Sequence, residues 1–194
     1  MKYLLLLCLS AMSGCSASSE LVPPRFDPIS GNMIVAYSEA VVFARAMPHL
    51  STSGRDYLYL GPAEVSRNGV QTYYLWVGVG STLDRSFAGE RQAPPVKLSL
   101  ELDEETLDLP LDEWIDDVSQ LPYPTAVPIQ ASLRAQVTLE DLERLAQAGL
   151  TDVTLFSEQG QPAKYGWWRG RWPESQLLAR DAGMGFTVEV RRQP

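Results

Sequence analysis

Apolar and polar positions alternate with period two along much of this chain, which predicts strands that have one face on a core and the other in water. The longest unbroken case is Ile129, Ala131, Leu133, Ala135 and Val137, interleaved with Gln130, Ser132, Arg134 and Gln136. Leu98, Leu100 and Leu102 alternate with Ser99, Glu101 and Asp103, and Leu107, Leu109 and Leu111 with Asp108 and Pro110. Together they predict a hairpin turning near residues 103–106. Tyr57–Leu60 reads as a strand that Gly61-Pro62 bends or interrupts. Asn68-Gly69 then calls for a two-residue type I′ turn before a return strand at 70–79. The apolar stretch Met33–Met47 is ambiguous in period, and its β-branched residues and the stop at Pro48 favour strand. Val153–Ser157, a turn at 158–161 and Ala163–Trp172 give a further hairpin, with a short strand expected at Phe186–Val190.

One segment switches to helical period. Thr138 is placed to cap a helix with Asp141 three residues on, Val137 can staple to Leu142, and Gly149 stands where the helix should stop, with Leu150 in reach of Leu145. Leu139, Leu142, Leu145 and Ala146 make a single apolar side that should lie on the sheet. The expected fold is mainly β, an antiparallel sandwich-like or curled sheet with one well-capped α-helix. The alternative is an α+β domain with that helix on one face of an antiparallel sheet. Segments 57–80 and 152–172 share a turn followed by an aromatic run, a pattern that either an internal hairpin repeat or recurring turn chemistry produces.

The chain opens differently. Lys2 precedes the apolar run Leu4–Ala11, far short of the ~20 residues that span a bilayer, and Met12-Ser13-Gly14-Cys15 follows. This stretch resembles the lipobox-type signal of bacterial lipoproteins, with Met12 where Leu is commonest. The resemblance covers residues 1–15 only. It implies a signal peptide at 1–14, a diacylglyceryl group on Cys15, and an anchor in a membrane that the chain does not span. Ser16 in place of Asp implies the outer membrane, facing the periplasm. An ordinary secretory signal, giving a soluble periplasmic or secreted protein, is the alternative. Residues 15–31, with Pro23, Pro24 and Pro28, have the composition of a tether, and 32–194 is expected to form a single β-rich domain.

Removing the signal takes Lys2 and Cys8 with it, leaving 15 basic and 24 acidic residues, a net charge of −9, and Cys15 as the only cysteine. With no disulfide possible, stability has to come from an apolar core, and 45% hydrophobic residues suffice for one. The acidic excess is concentrated between Glu101 and Asp117, a span without a basic residue, and no basic stripe exists for a nucleic acid to bind.

Catalytic patterns are lacking in the sequence. His49 is the single histidine, no G-x-S-x-G occurs, and Gly78-Val79-Gly80 is followed by Leu83 where a dinucleotide loop needs Gly. No cofactor is expected. Asp103, Glu104 and Glu105 are the nearest approach to a Ca²⁺ site, without the spacing of a calcium loop, so metal is not expected either. Tyr165, Trp167, Trp168, Arg169, Arg171 and Trp172 form the densest aromatic and arginine cluster. Strand alternation puts Tyr165, Trp167, Arg169 and Arg171 on one face and Trp168 on the other. Because an unpaired guanidinium is costly to bury, the arginine face is expected outward as a binding surface and Trp168 inward. The expected function is a non-enzymatic binding or structural module of the cell envelope, held to the membrane through Cys15 and contacting a partner protein or polymer. The alternative is an envelope hydrolase with paired carboxylates.

Overall fold

The computed structural model describes residues 23–36, 39–83, 93–102, 105–114, 121–147, 150–158 and 162–168. The expected Gly149 stop, the 186–190 strand and the Met12–Cys15 signal lie outside them. The described residues are mainly antiparallel β: β1 Arg25–Phe26, β2 Met33–Ala36, β3 Val41–Ala46, β4 Arg55–Arg67, β5 Val70–Ser81, β6 Pro95–Leu102, β7 Glu105–Pro110, β8 Asp112–Glu113, β9 Ile129–Val137, β10 Leu150–Ser157 and β11 Ala163–Trp167. A single helix, α1 Leu139–Gln147, joins β9 to β10.

The strands follow the order β7-β6-β10-β11-β3-β4-β5-β9-β8, so the two ends of the sheet belong to one run of chain. Residues 105–110 pair with β6, Leu111 N–H still donates to the Val96 carbonyl at 2.9 Å, and Asp112 and Glu113 then pair with Arg134 and Leu133 of β9. The run Glu105–Glu113 therefore closes the curled sheet into a barrel of eight staves among the described residues. Pairing at both ends of this run shortens the free edges that an open sheet would expose.

Cross-strand register identifies the interior. Trp167, Phe43, Leu58, Val79 and Ala131 form one row across five staves, and Val41, Leu60, Val77 and Leu133 form the next. On the facing wall, Leu109 opposes Leu98 and Leu98 opposes Leu155, while Leu107, Leu100, Val153 and Tyr165 share another row. Phe43, Leu58, Val77, Leu98, Leu100 and Val153 are fully buried. The barrel is a packed core, as expected for about eight strands.

β4 and β5 outgrow the barrel. The turn between them is the expected type I′, with φ of 52° at Asn68 and 79° at Gly69. Of the bend or interruption expected at Gly61-Pro62, the interruption does not occur: β4 pairs with β5 from Asp56 to Arg67. The register explains why. A two-residue turn makes Arg67 and Val70 a hydrogen-bonded pair, so alternate residues of β4, Pro62 among them, turn their backbone polar groups away from β5. On that other side β3 pairing ends at Leu60 and β2 pairing begins at Ala63, so the missing N–H of Pro62 faces the gap between them.

The outer surface of β4 and β5 is covered by residues 121–128. Tyr123 lies against Gly61 and donates its hydroxyl to the Pro62 carbonyl. Tyr59 Oη accepts from the Ala126 amide at 3.2 Å. Trp76, whose Nε1 donates to Ser132 Oγ at 2.9 Å, folds its ring over Gly78 and stacks at 5.5 Å on Tyr123. Trp76 is thus fully buried on the outside of the barrel. Helix α1 begins with the expected capping box: Asp141 N–H donates to Thr138 Oγ1 at 3.1 Å, and Thr138 N–H to Asp141 Oδ2 at 3.0 Å. Leu142 and Ala146 are its buried residues.

Candidate functional site

β11 places the first half of the aromatic cluster. Trp167 pairs with Phe43 and Tyr165 with Val153, both partners being interior residues. Tyr165 is 2% exposed, and Trp167 stacks on Phe43 with ring centroids 4.7 Å apart. The alternation of Tyr165 and Trp167 against Trp168 is as expected, but the sides are exchanged: Tyr165 and Trp167 point in, and Trp168 points out. Arg169 and Arg171 lie outside the described residues.

The rule that fixed the sides was that a guanidinium should not face the core. The barrel itself shows the exception. Arg45 faces inward one register step from Phe43, its Nη2 is 2.9 Å from Asp56 Oδ2, and its guanidinium lies 5.2 Å from the Tyr165 ring centroid. Asp56 is 3% exposed. A carboxylate partner and an aromatic face thus hold a guanidinium inside. The Arg45 Nε is buried with no hydrogen-bond partner among the described residues.

Outward, Trp168 continues the path of β11, its amide donating to the Val42 carbonyl at 3.3 Å. Its ring meets Tyr57 edge-on at 5.5 Å, and the Arg55 guanidinium sits 4.6 Å from its centroid. Tyr59 follows Tyr57 along the same face at 6.5 Å. Beside Tyr57 the row across the strands continues through Ala44 and Gly166, so the surface next to these rings stays low. Tyr57, Arg55 and Trp168 are each half-buried. The result is an outward platform of two aromatic rings set edge to face, with a guanidinium over one of them, on a floor of small residues.

Glu101, Glu105 and Asp108 of the Glu101–Asp117 run lie close to bases. Lys164 Nζ lies 3.0 Å from Asp152 and 3.3 Å from Glu101, and hydrogen bonds to these two carboxylates raise the Lys164 pKa. Lys97 lies 3.1 Å from Asp108, whose carboxyl is held below its ordinary range by bonds from Ser99 and then Lys97. Glu105 is 3.7 Å from Arg144 of α1. Asp103 and Glu104 lie outside the described residues, and no group of three metal-ligating side chains occurs within them. His49 is exposed in the loop between β3 and β4.

Glu64 is buried as well, besides Asp56 and Asp27, and sequence reading missed it. It is 2% exposed on the inward-facing side of β4, between Val35 of β2 and Tyr73 of β5. Burial raises its pKa against the opposing hydrogen bond from Gln71, and its Oε2 has no partner among the described residues. Asp56 and Glu64 lie eight residues apart on one strand, roughly 26 Å at ~3.3 Å per residue, so they do not form a carboxylate pair for glycoside hydrolysis.

No known protein family, curated protein or solved structure matches the chain. Tyr57 and Tyr59 were legible only as strand residues. The contact of Tyr57 with Trp168 depends on β11 pairing with β3, which no local pattern encodes.

Proposed function

We propose that this protein is a lipid-anchored, non-enzymatic binding module of the bacterial envelope, held at the outer membrane through Cys15 and facing the periplasm. The Trp168–Tyr57–Arg55 platform carries the binding half of this reading. Its rings and guanidinium fit the sugar rings of an envelope polymer, where stacking and hydrogen bonding act together. The Leu4–Cys15 signal carries the anchor. A filled barrel suits this role, since it makes a rigid scaffold that presents side chains on its outer wall.

Co-sedimentation of purified protein with isolated cell-wall polymer tests the reading. Arg55→Ala, which leaves both rings in place, should lower the retained fraction severalfold without shifting the unfolding midpoint by more than a surface substitution does. Unchanged retention would remove the platform from the proposal. Mass and membrane fractionation of wild type and Cys15→Ala test the anchor separately, with retention of the mutant in carbonate-washed membranes as the contrary result.

A further inference from the structure

Four apolar side chains project from the end of the molecule where β4 and β5 extend past the barrel: Phe26, Ile29, Met33 and Val70, which are 61%, 69%, 37% and 67% exposed. The register gathers them. Phe26 pairs with Met33, and Met33 with Ser66, so the turn between β1 and β2 lies beside the Asn68-Gly69 turn at one tip. Ile29 is held out by construction. The buried Asp27 carboxylate accepts from the Ile29 and Ser30 amides, at 3.3 and 2.8 Å, and from the Ser30 hydroxyl, while Asp27 N–H donates to the Asn32 carbonyl at 2.8 Å. A fixed turn that presents an isoleucine to water suits contact with an apolar phase.

The charge at this tip is the reverse of the chain's. Among the described residues at 23–36 and 63–73 the only carboxylates are Asp27 and Glu64, at 1% and 2% exposure, and the exposed charged residues are Arg25 and Arg67. Residues 23–36 and 63–73 thus expose cations and apolar groups and no acid, while the acidic first turn of α1, with Glu140 exposed, follows Val137, the partner of Tyr73, at the same end of the barrel. The tether ends here too. Only seven residues separate Cys15 from Pro23, so the lipidated residue lies within about 35 Å of the start of β1 at Arg25 at ~3.5 Å per residue.

We infer that the tip formed by Phe26, Ile29, Met33 and Val70 rests on the lipid bilayer, with Arg67 at the level of anionic headgroups. This inference rests on the anchor reading. It adds an orientation: the long axis of the β4–β5 hairpin points into the membrane surface, and the loops at residues 47–54 and 158 point away from it. Shallow insertion of apolar side chains beside cations is how interfacial contacts gain strength on anionic lipid.

Full-length lipidated protein in phosphatidylcholine–phosphatidylglycerol vesicles provides the test. Because Cys15 is acylated, a cysteine introduced at another position is the only free thiol and can carry an environment-sensitive fluorophore. Labels on Ile29→Cys and Val70→Cys should be quenched by spin-labelled lipid at least twofold more than labels on Thr52→Cys and Glu158→Cys at the opposite end. Equal quenching at all four positions in protein that co-floats with vesicles would overturn the orientation and leave the anchor standing. Wild-type protein that fails to co-float would overturn both.

Discussion

The ring of Tyr123 fills the space that a β carbon on Gly61 would need, and its hydroxyl closes the Pro62 carbonyl that the gap between β2 and β3 leaves open. The pair lets β4 run unbroken from the barrel to the tip. Gly61→Ala should therefore cost about 1 to 3 kcal/mol by overpacking, and Tyr123→Ala about 3 to 5 kcal/mol. Because both changes act on one contact, the double variant should lose clearly less than the sum, as measured by urea unfolding.

What could be read in advance was local. Asn68-Gly69 needs only its own backbone to make its turn, Thr138 and Asp141 need only each other, and alternation at 98–102 and 129–137 marks a face without saying what it faces. Barrel closure was not legible, because it depends on a strand whose two ends pair with β6 and β9, far apart in sequence. The sides of β11 failed for a related reason: Arg45, Asp56 and Tyr165 meet only when β3, β4 and β11 assemble. Trp76 and Trp168, one in each of the two segments that share a turn and an aromatic run, both face outward. Trp76 alone is sealed by residues 121–128, a loop that periodicity does not describe.

The closure can be checked amide by amide. Leu111 N–H donates to Val96 and Trp114 N–H to Ser132, at 2.9 and 3.0 Å, on opposite sides of the seam. Both should exchange slowly, with opening free energies close to that of global unfolding. Fast exchange at either would mean an open sheet.

Glu64 gives the fold a pH dependence of definite sign. Its carboxyl is raised by burial, so the folded state holds the proton more tightly than the unfolded chain. The stability this contributes is present below the ordinary glutamate value of about 4.3 and is lost as pH rises through the higher folded value. Glu64→Gln should match wild type near pH 4 and exceed it near pH 8 in urea unfolding. An equal difference at both pH values would show that Glu64 is not held protonated.

The helix cap carries the opposite sign. Hydrogen bonds from the Thr138 side chain and then its backbone hold the Asp141 carboxyl below the ordinary aspartate range. Its contribution is present above about pH 3.9 and is lost as pH falls through the depressed folded value. Thr138→Ala should cost about 1 kcal/mol at neutral pH, read from chemical unfolding. In acid, where Asp141 is protonated, the same substitution should cost less.

The central claim is that the barrel interior is structural and the outward face of β11 and β4 does the binding. Comparing Trp167→Ala with Trp168→Ala tests it most directly, since the two residues are adjacent in sequence and opposite in direction. Trp167→Ala should lose about 3 to 5 kcal/mol in urea unfolding, as the stack on Phe43 is lost. Trp168→Ala should lose about 1 to 2 kcal/mol while its retention on cell-wall polymer drops severalfold. The reverse order of stability losses, or unchanged retention for Trp168→Ala, would contradict the account.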